Sequence, residues 1–311
     1  MNKLIVLTGP TSVGKTALSI KLAHKINGEI ISADSMQVYK KMDIGSAKIM
    51  PDQMDGIKHH LIDILEPTDE FNVYIFKKLA MEAINNIYSN DHIPIIVGGT
   101  AFYIQSVLYD INFDDEDNSV IRKQLEHRAN EIGSLALYEE LKAIDPDYAS
   151  TLHPNNVKKV IRALEYIKLN GKLFSVHNNE ERNKTSPFDF KYFALTDERN
   201  HLYENIEKRV DMMFDMGLLD EVKSLYNEGL SKDMVSMQGL GYKELLDYFD
   251  NKCSLQEAKD KIKLETRHFA KRQMTYLRRE RDVIFIDKSK YDYDEDRILD
   301  YMLEVIKNDR Q

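Results

Sequence analysis

The chain has 311 residues, 42% of them hydrophobic, enough to bury one substantial core with room for a second, smaller body. Its formal net charge of -9, from 43 Lys and Arg against 52 Asp and Glu, argues against a protein that coats nucleic acid non-specifically. The single cysteine, Cys253, rules out an intramolecular disulfide and fits a reducing cytosol.

The first element is an apolar strand pattern, "KLIVLTG", which runs directly into "GPTSVGKT" at 9–16 and then into a helical pattern over 15–26. "MNKLIVL" is too short for a secretory leader and feeds straight into this loop. The loop satisfies G-x-x-x-x-G-K-[ST] with Gly9, Gly14, Lys15 and Thr16, in the strand–loop–helix context that the motif requires. Its glycines let backbone N–H groups turn onto a phosphate and the helix N-terminus adds positive potential. Lys15 reaches the outer phosphate, and Thr16 is placed to hold Mg²⁺. The residues between them, Pro10, Thr11, Ser12 and Val13, complete the expected diphosphate cradle. The loop alone does not name its ligand, since any Mg²⁺-bound diphosphate or triphosphate satisfies it.

A second strand is expected in "GEIISADS", a third in "HHLIDIL" at 59–65 and a fourth in "IPIIVGGT", with a helix over 72–89 before the fourth. This is the βαβ rhythm of a parallel sheet covered on both faces. Asp34 falls at the carboxyl end of the second strand, where side chains of parallel strands face the ligand crevice. Three roles are open to it: Mg²⁺ ligand, proton acceptor, or cap of the following turn. The fourth strand ends in Gly98-Gly99, whereas an ATP-handling enzyme usually carries a Mg²⁺-binding Asp there. Neighbouring His59 and His60 point to opposite faces of a strand and read as structural. The longest uncharged stretch, 92–109, is broken by Pro94, Gly98 and Gly99, so it reads as strand, turn and helix and not as a membrane span.

"DINFDDEDN", with five acids in nine residues, reads as a solvated linker. It opens a helical insertion over 114–190, with helices expected at 119–131, 134–143 and 155–169 and breakers at Asp145-Pro146 and His153-Pro154. After a strand at 191–195, one long amphipathic helix is expected over 201–228 and another over 254–281, before a last strand at 282–287. The fold class is therefore α/β: a P-loop NTPase-like parallel sheet with helices on both faces, formed by 1–113 and 191–311, plus the inserted all-helical domain. Between Arg267 and Arg281 six basic residues face one Glu, a local excess able to meet phosphates in an acidic chain.

Eight blocks in order, "GPTSVGKT", "ISADSMQVYKKMDIGSAK", "HHLIDIL", "IIVGGTAFYIQSVL", "IRALE", "RVDMMFDMGLLDEVKSL", "GLGYKEL" and "TRHFAKRQMTYLRRE", resemble the tRNA dimethylallyltransferases (tRNA isopentenyltransferases) from Lys3 to about Asp287. The resemblance implies a loop that holds dimethylallyl diphosphate with Mg²⁺ and releases pyrophosphate. It implies Asp34 as the base for the adenine amine, and Arg209, Lys15 and Thr16 with its metal as the groups acting on the leaving group. For the tRNA anticodon stem-loop it implies contacts at Asp34, Ser35, Met36, Gln37, Thr100, Arg122, Arg162, Ala163, Leu164 and Glu165, with a phosphate track at Arg267, Lys271, Arg272 and Arg278. Tyr276 is expected to stack on an unpaired base. Lys158 and Lys159 stand where the family has Gln and Arg, which keeps charge but loses bidentate contact. A cytoplasmic monomer that touches no membrane is expected. The competing classes are a P-loop small-molecule or nucleoside kinase, and a nucleotide-switched RNA-binding protein, which the absence of [NT]-K-x-D weakens.

Overall fold

The computed structural model describes residues 2–111 and 119–308. Six strands form one parallel sheet in the order β3-β2-β4-β1-β5-β6, with β1 Lys3–Thr8, β2 Gly28–Ser32, β3 His59–His60, β4 Ile93–Gly98, β5 Asp189–Thr196 and β6 Val283–Asp287. β1, β2 and β4 are almost wholly buried, the pattern of strands covered on both faces. Every strand pairing is parallel, so all carboxyl ends lie along one edge. Thr8 is in register with Gly98 on one side and Ala194 on the other, and the phosphate loop therefore leaves the middle of that edge.

The covering helices are α1 Lys15–Ile26, α2 Val73–Ser89 and α3 Ala101–Leu108. Four helices follow: α4 Ser119–Ile132, α5 Ser134–Ile144, α6 Pro146–Ala149 and α7 Val157–Asn170. Then come α8 Phe174–Asn183, α9 Arg199–Asp215, α10 Leu218–Asn227, α11 Tyr242–Phe249, α12 Leu255–Leu277 and α13 Glu295–Lys307. α12 starts on a complete capping box, with Ser254 and Glu257 each satisfying the other's backbone N–H. Ile5, Leu7, Phe193 and Leu195 of the sheet bury against Leu18 and Leu22 of α1 and Ile298 and Met302 of α13.

The chain divides into two compact units, residues 1–108 with 187–311, and residues 109–186. The second has its own core, built on Leu125, Leu137, Leu141, Leu164 and Phe174. The unit boundaries fall ahead of 114 and 190; β5 starts at Asp189 because Asp189 and Phe190 already pair with Lys3 and Leu4. Most of the acidic run, including position 114, lies outside the described residues.

Two element expectations are corrected. The long helix over 201–228 is two helices, because Gly217 takes φ 102° between α9 and α10. The third strand stops after His60, where Leu61 (φ 62°) and Asp63 (φ 57°) turn left-handed and Asp63 pairs with Lys48 at 2.5 Å. His60 and His92 both bond Glu29, each at 2.6 Å, which makes them structural partners of a buried carboxylate. Among the described residues no helix is long and apolar enough to cross a membrane.

Candidate active site

The phosphate loop folds with left-handed backbone at Gly9 (φ 145°), Ser12 (φ 63°) and Gly14 (φ 95°). Gly9 is required on space as well as conformation, since a Cβ there would lie 2.6 Å from the Leu195 carbonyl of β5. Lys15 Nζ donates to the carbonyls of Gly9 (3.0 Å) and Pro10 (2.8 Å), which arches the ammonium over the loop. Ser12 Oγ is buried and finds no hydrogen-bond partner among the described residues. Thr16 is exposed at the start of α1. Thr11 departs from the expected cradle, because its N–H donates to Gln273 Oε1 at 2.9 Å.

Two further groups converge on Lys15. Asp34 sits two residues beyond β2, half-buried, and its Oδ1 accepts from Met36 N–H at 2.8 Å. The turn-capping role is therefore real and occupies one carboxylate oxygen. Arg209, on α9, is half-buried beside Asp34, unlike a solvated helix arginine. Burial pulls its guanidinium pKa down and the Asp34 charge opposes that pull. Burial, then Arg209, lower the Lys15 pKa to about 8, with Asp34 acting the other way. A lysine lowered in the folded protein binds fewer protons than in the unfolded chain between about 8 and 10.5, so its charge opposes folding below that window. If the loop holds a diphosphate, the same charge attracts it. Pyrophosphate affinity of the free protein should thus fall as pH rises through about 8, and titration calorimetry across that range checks it.

The segment that carries Asp34, Ser35, Met36 and Gln37 is held from behind. Glu221 of α10 accepts from the N–H groups of Asp43 (2.8 Å), Ile44 (2.7 Å) and Gly45 (3.0 Å), and from Tyr242 Oη (2.7 Å). Lys48, its side chain 1% exposed, bonds Asp43 at 2.5 Å and the Tyr39 carbonyl at 2.7 Å. Gln37 spans Ser32 Oγ (3.2 Å) and the Ala47 carbonyl (3.3 Å), so its amide enters any base contact already oriented. Met36 packs on Gly239, and the Thr100 N–H donates to the Ala33 carbonyl at 3.3 Å.

Among the expected tRNA contacts, Lys271 and Arg272 on α12 and Arg278 just past its end are exposed. Arg267 is instead paired with Glu207 and lies over the Tyr203 ring. Tyr276 gives its hydroxyl to Gln105 at 2.8 Å. In the helical unit, Glu165 is 3% exposed and binds Arg122 at 2.8 Å and Arg162 at 3.6 Å. Ala163 and Leu164 are fully buried, so their side chains serve packing. Lys158 and Lys159 are exposed at the start of α7.

Sequence reasoning missed Gln273 and Lys288. Lys288, just past β6, donates to the Val13 carbonyl at 3.0 Å and adds a third cation beside the loop. Gln273 lies on the buried stripe Ala270–Gln273–Leu277 of α12, a polar residue on an apolar face, which was its only local signal.

The family model "IPP transferase" matches residues 37–280. The chain belongs to the IPP transferase family. It is 53% identical over 307 residues to a tRNA dimethylallyltransferase of Lachnoclostridium phytofermentans, covering 98% of both chains. It is 48% identical to one of Geobacillus thermodenitrificans, over 92% of this chain and 90% of the relative. The first of these matches leaves only a few residues of the chain uncovered and so includes the phosphate loop, which precedes the family-model region. The full-length tRNA isopentenylpyrophosphate transferase of Bacillus halodurans superposes with a TM-score of 0.73 at 42% identity, covering 98% of this chain and 96% of that one. A eukaryotic dimethylallyltransferase studied acting on tRNA gives 0.78 at 32% identity, over 92% and 74%. The IPP transferase family thus accounts for the P-loop sheet and the inserted helices together.

Proposed function

We propose that the protein transfers the dimethylallyl group of dimethylallyl diphosphate to N6 of the adenosine just 3′ of the tRNA anticodon, position 37. The products are N6-isopentenyladenosine and pyrophosphate. One observation carries the reading: at the phosphate loop, Lys15, Arg209 and the carboxylate of Asp34 lie close enough to act on one another's charge, in a chain with closely similar relatives of that activity. The adenine N6 attacks the allylic carbon, a C–N bond forms, the C–O bond breaks and its electron pair leaves on pyrophosphate. Asp34 takes the N6 proton. Lys15 and Arg209 hold the pyrophosphate as its charge grows, the stage at which fixed cations stabilise most.

Magnesium belongs to the proposal. The Thr16 hydroxyl and the unpartnered Ser12 Oγ are hard oxygen donors of the kind Mg²⁺ takes beside phosphate oxygens. When bound, the ion would neutralise part of the leaving-group charge. A kinase is not favoured, because the relatives are transferases of another class and β4 ends in glycines where a Mg²⁺-binding Asp would stand. Mass spectrometry of tRNA nucleosides from cells with and without the gene tests the reading: loss of isopentenyladenosine is expected, and an unchanged level contradicts it.

The helical unit, with Arg122, Arg162 and the exposed lysines, and the basic face of α12 are proposed to hold the anticodon stem-loop. If Lys158 and Lys159 meet the phosphate backbone, changing both to Ala should reduce the slope of log affinity against log salt by about one to two units. Filter binding of tRNA at several salt concentrations measures it. Dimethylallyl diphosphate binding should be unchanged in the same variant.

A further inference from the structure

We infer that Gln273 is a positioning residue, which fixes the phosphate loop against the segment that carries Asp34. The inference rests on the proposed diphosphate site. Gln273 is 7% exposed and both ends of its amide are engaged. Oε1 accepts from the Thr11 N–H at 2.9 Å, and Nε2 donates to the Gly99 carbonyl at 3.0 Å. The next residue, Thr100, donates its N–H to the Ala33 carbonyl, and a Cβ on Gly98 would collide with the same carbonyl. Ala33 immediately precedes Asp34. One amide therefore joins the loop that grips the leaving group to the backbone that holds the proton acceptor.

The chemistry of the position is narrow. A side chain there must accept from one backbone N–H and donate to one backbone carbonyl while remaining uncharged beside an anion site, and an amide does all three. Gly99 is part of the same device, since a Cβ on it would run into Gln273 Nε2. Gly99 does not have positive φ, so alanine there meets no left-handed backbone strain. Without the clamp the loop and Asp34 still fold, but their separation is no longer set. The loss then falls on binding the diphosphate in a reactive alignment.

Three variants test this: Gln273→Met, which keeps the bulk and removes both hydrogen bonds, Gly99→Ala, and Gly99→Ala combined with Gln273→Ala. The probes are Mg²⁺-pyrophosphate binding, KM and kcat for dimethylallyl diphosphate, and tRNA affinity. Gln273→Met and Gly99→Ala should each weaken pyrophosphate and raise KM by about 10-fold, with a fall in kcat and tRNA affinity kept within about twofold. In the Gln273→Ala background, Gly99→Ala should add almost nothing, because the amide it displaces is gone. A Gln273 that only packs would tolerate Met and give additive losses in the double variant. Either result overturns the inference, and Gly99→Ala alone decides it if Gln273→Met does not fold. If the unaltered protein fails to bind Mg²⁺-pyrophosphate, the functional reading falls and this inference falls with it.

Discussion

Asp34→Asn should lower turnover by about 10²- to 10⁴-fold while leaving tRNA affinity within a few-fold, the signature of a lost general base. The variant separates the two roles of this residue cleanly. Asn retains a side-chain oxygen for the Met36 N–H, so the turn after β2 is preserved, but it takes no proton. It also removes a negative charge beside Lys15 and Arg209, so KM for the diphosphate should stay level or fall. Because Asp34 raises the Lys15 pKa, the alkaline limb of diphosphate binding should move to lower pH. Steady-state kinetics with each substrate varied, repeated across pH, reads all of these. Equal losses in tRNA affinity and rate would make Asp34 a binding residue.

Arg209→Ala should depress turnover by about 10²- to 10³-fold, the range seen when one fixed donor to a developing anion is removed. Here KM for the diphosphate should rise, with tRNA affinity unchanged. Arg209 lowers the Lys15 pKa, so its removal should shift the alkaline limb to higher pH, opposite to the shift in Asp34→Asn. Lysine at 209 should recover only part of the loss, since an ammonium lacks the planar fork of the guanidinium. An unchanged rate would return Arg209 to a purely structural position on α9.

The parts legible in the sequence were those that local physics dictates. "GPTSVGKT" after an apolar strand leaves one backbone solution, and buried runs such as "IPIIV" announce a parallel sheet. The break at Gly217 was hidden because apolar residues keep helical spacing through it: Val210, Leu218, Val222 and Leu225 are all buried, in two helices. The benefit of the break is remote, since α10 delivers Glu221 to the amides of Asp43, Ile44 and Gly45. "HHLIDIL" reads as a strand from its apolar β-formers, but left-handed backbone at Leu61 and Asp63 ends it after two residues. Arg209 looked like a surface arginine until the family resemblance singled it out, and Arg267 looked free until α12 met Glu207 of α9. Gln273 reaches a residue 262 positions away, a distance over which no periodicity or motif carries information.

The most direct test of the account is incubation of the purified protein with Mg²⁺, labelled dimethylallyl diphosphate and unmodified tRNA, followed by nucleoside analysis, with labelled ATP in a parallel reaction. The account predicts label in isopentenyladenosine, stoichiometric pyrophosphate, loss of both on chelating Mg²⁺, and no comparable phosphoryl transfer from ATP. Transfer of phosphate from ATP at a matching rate, or no label entering tRNA, would contradict it.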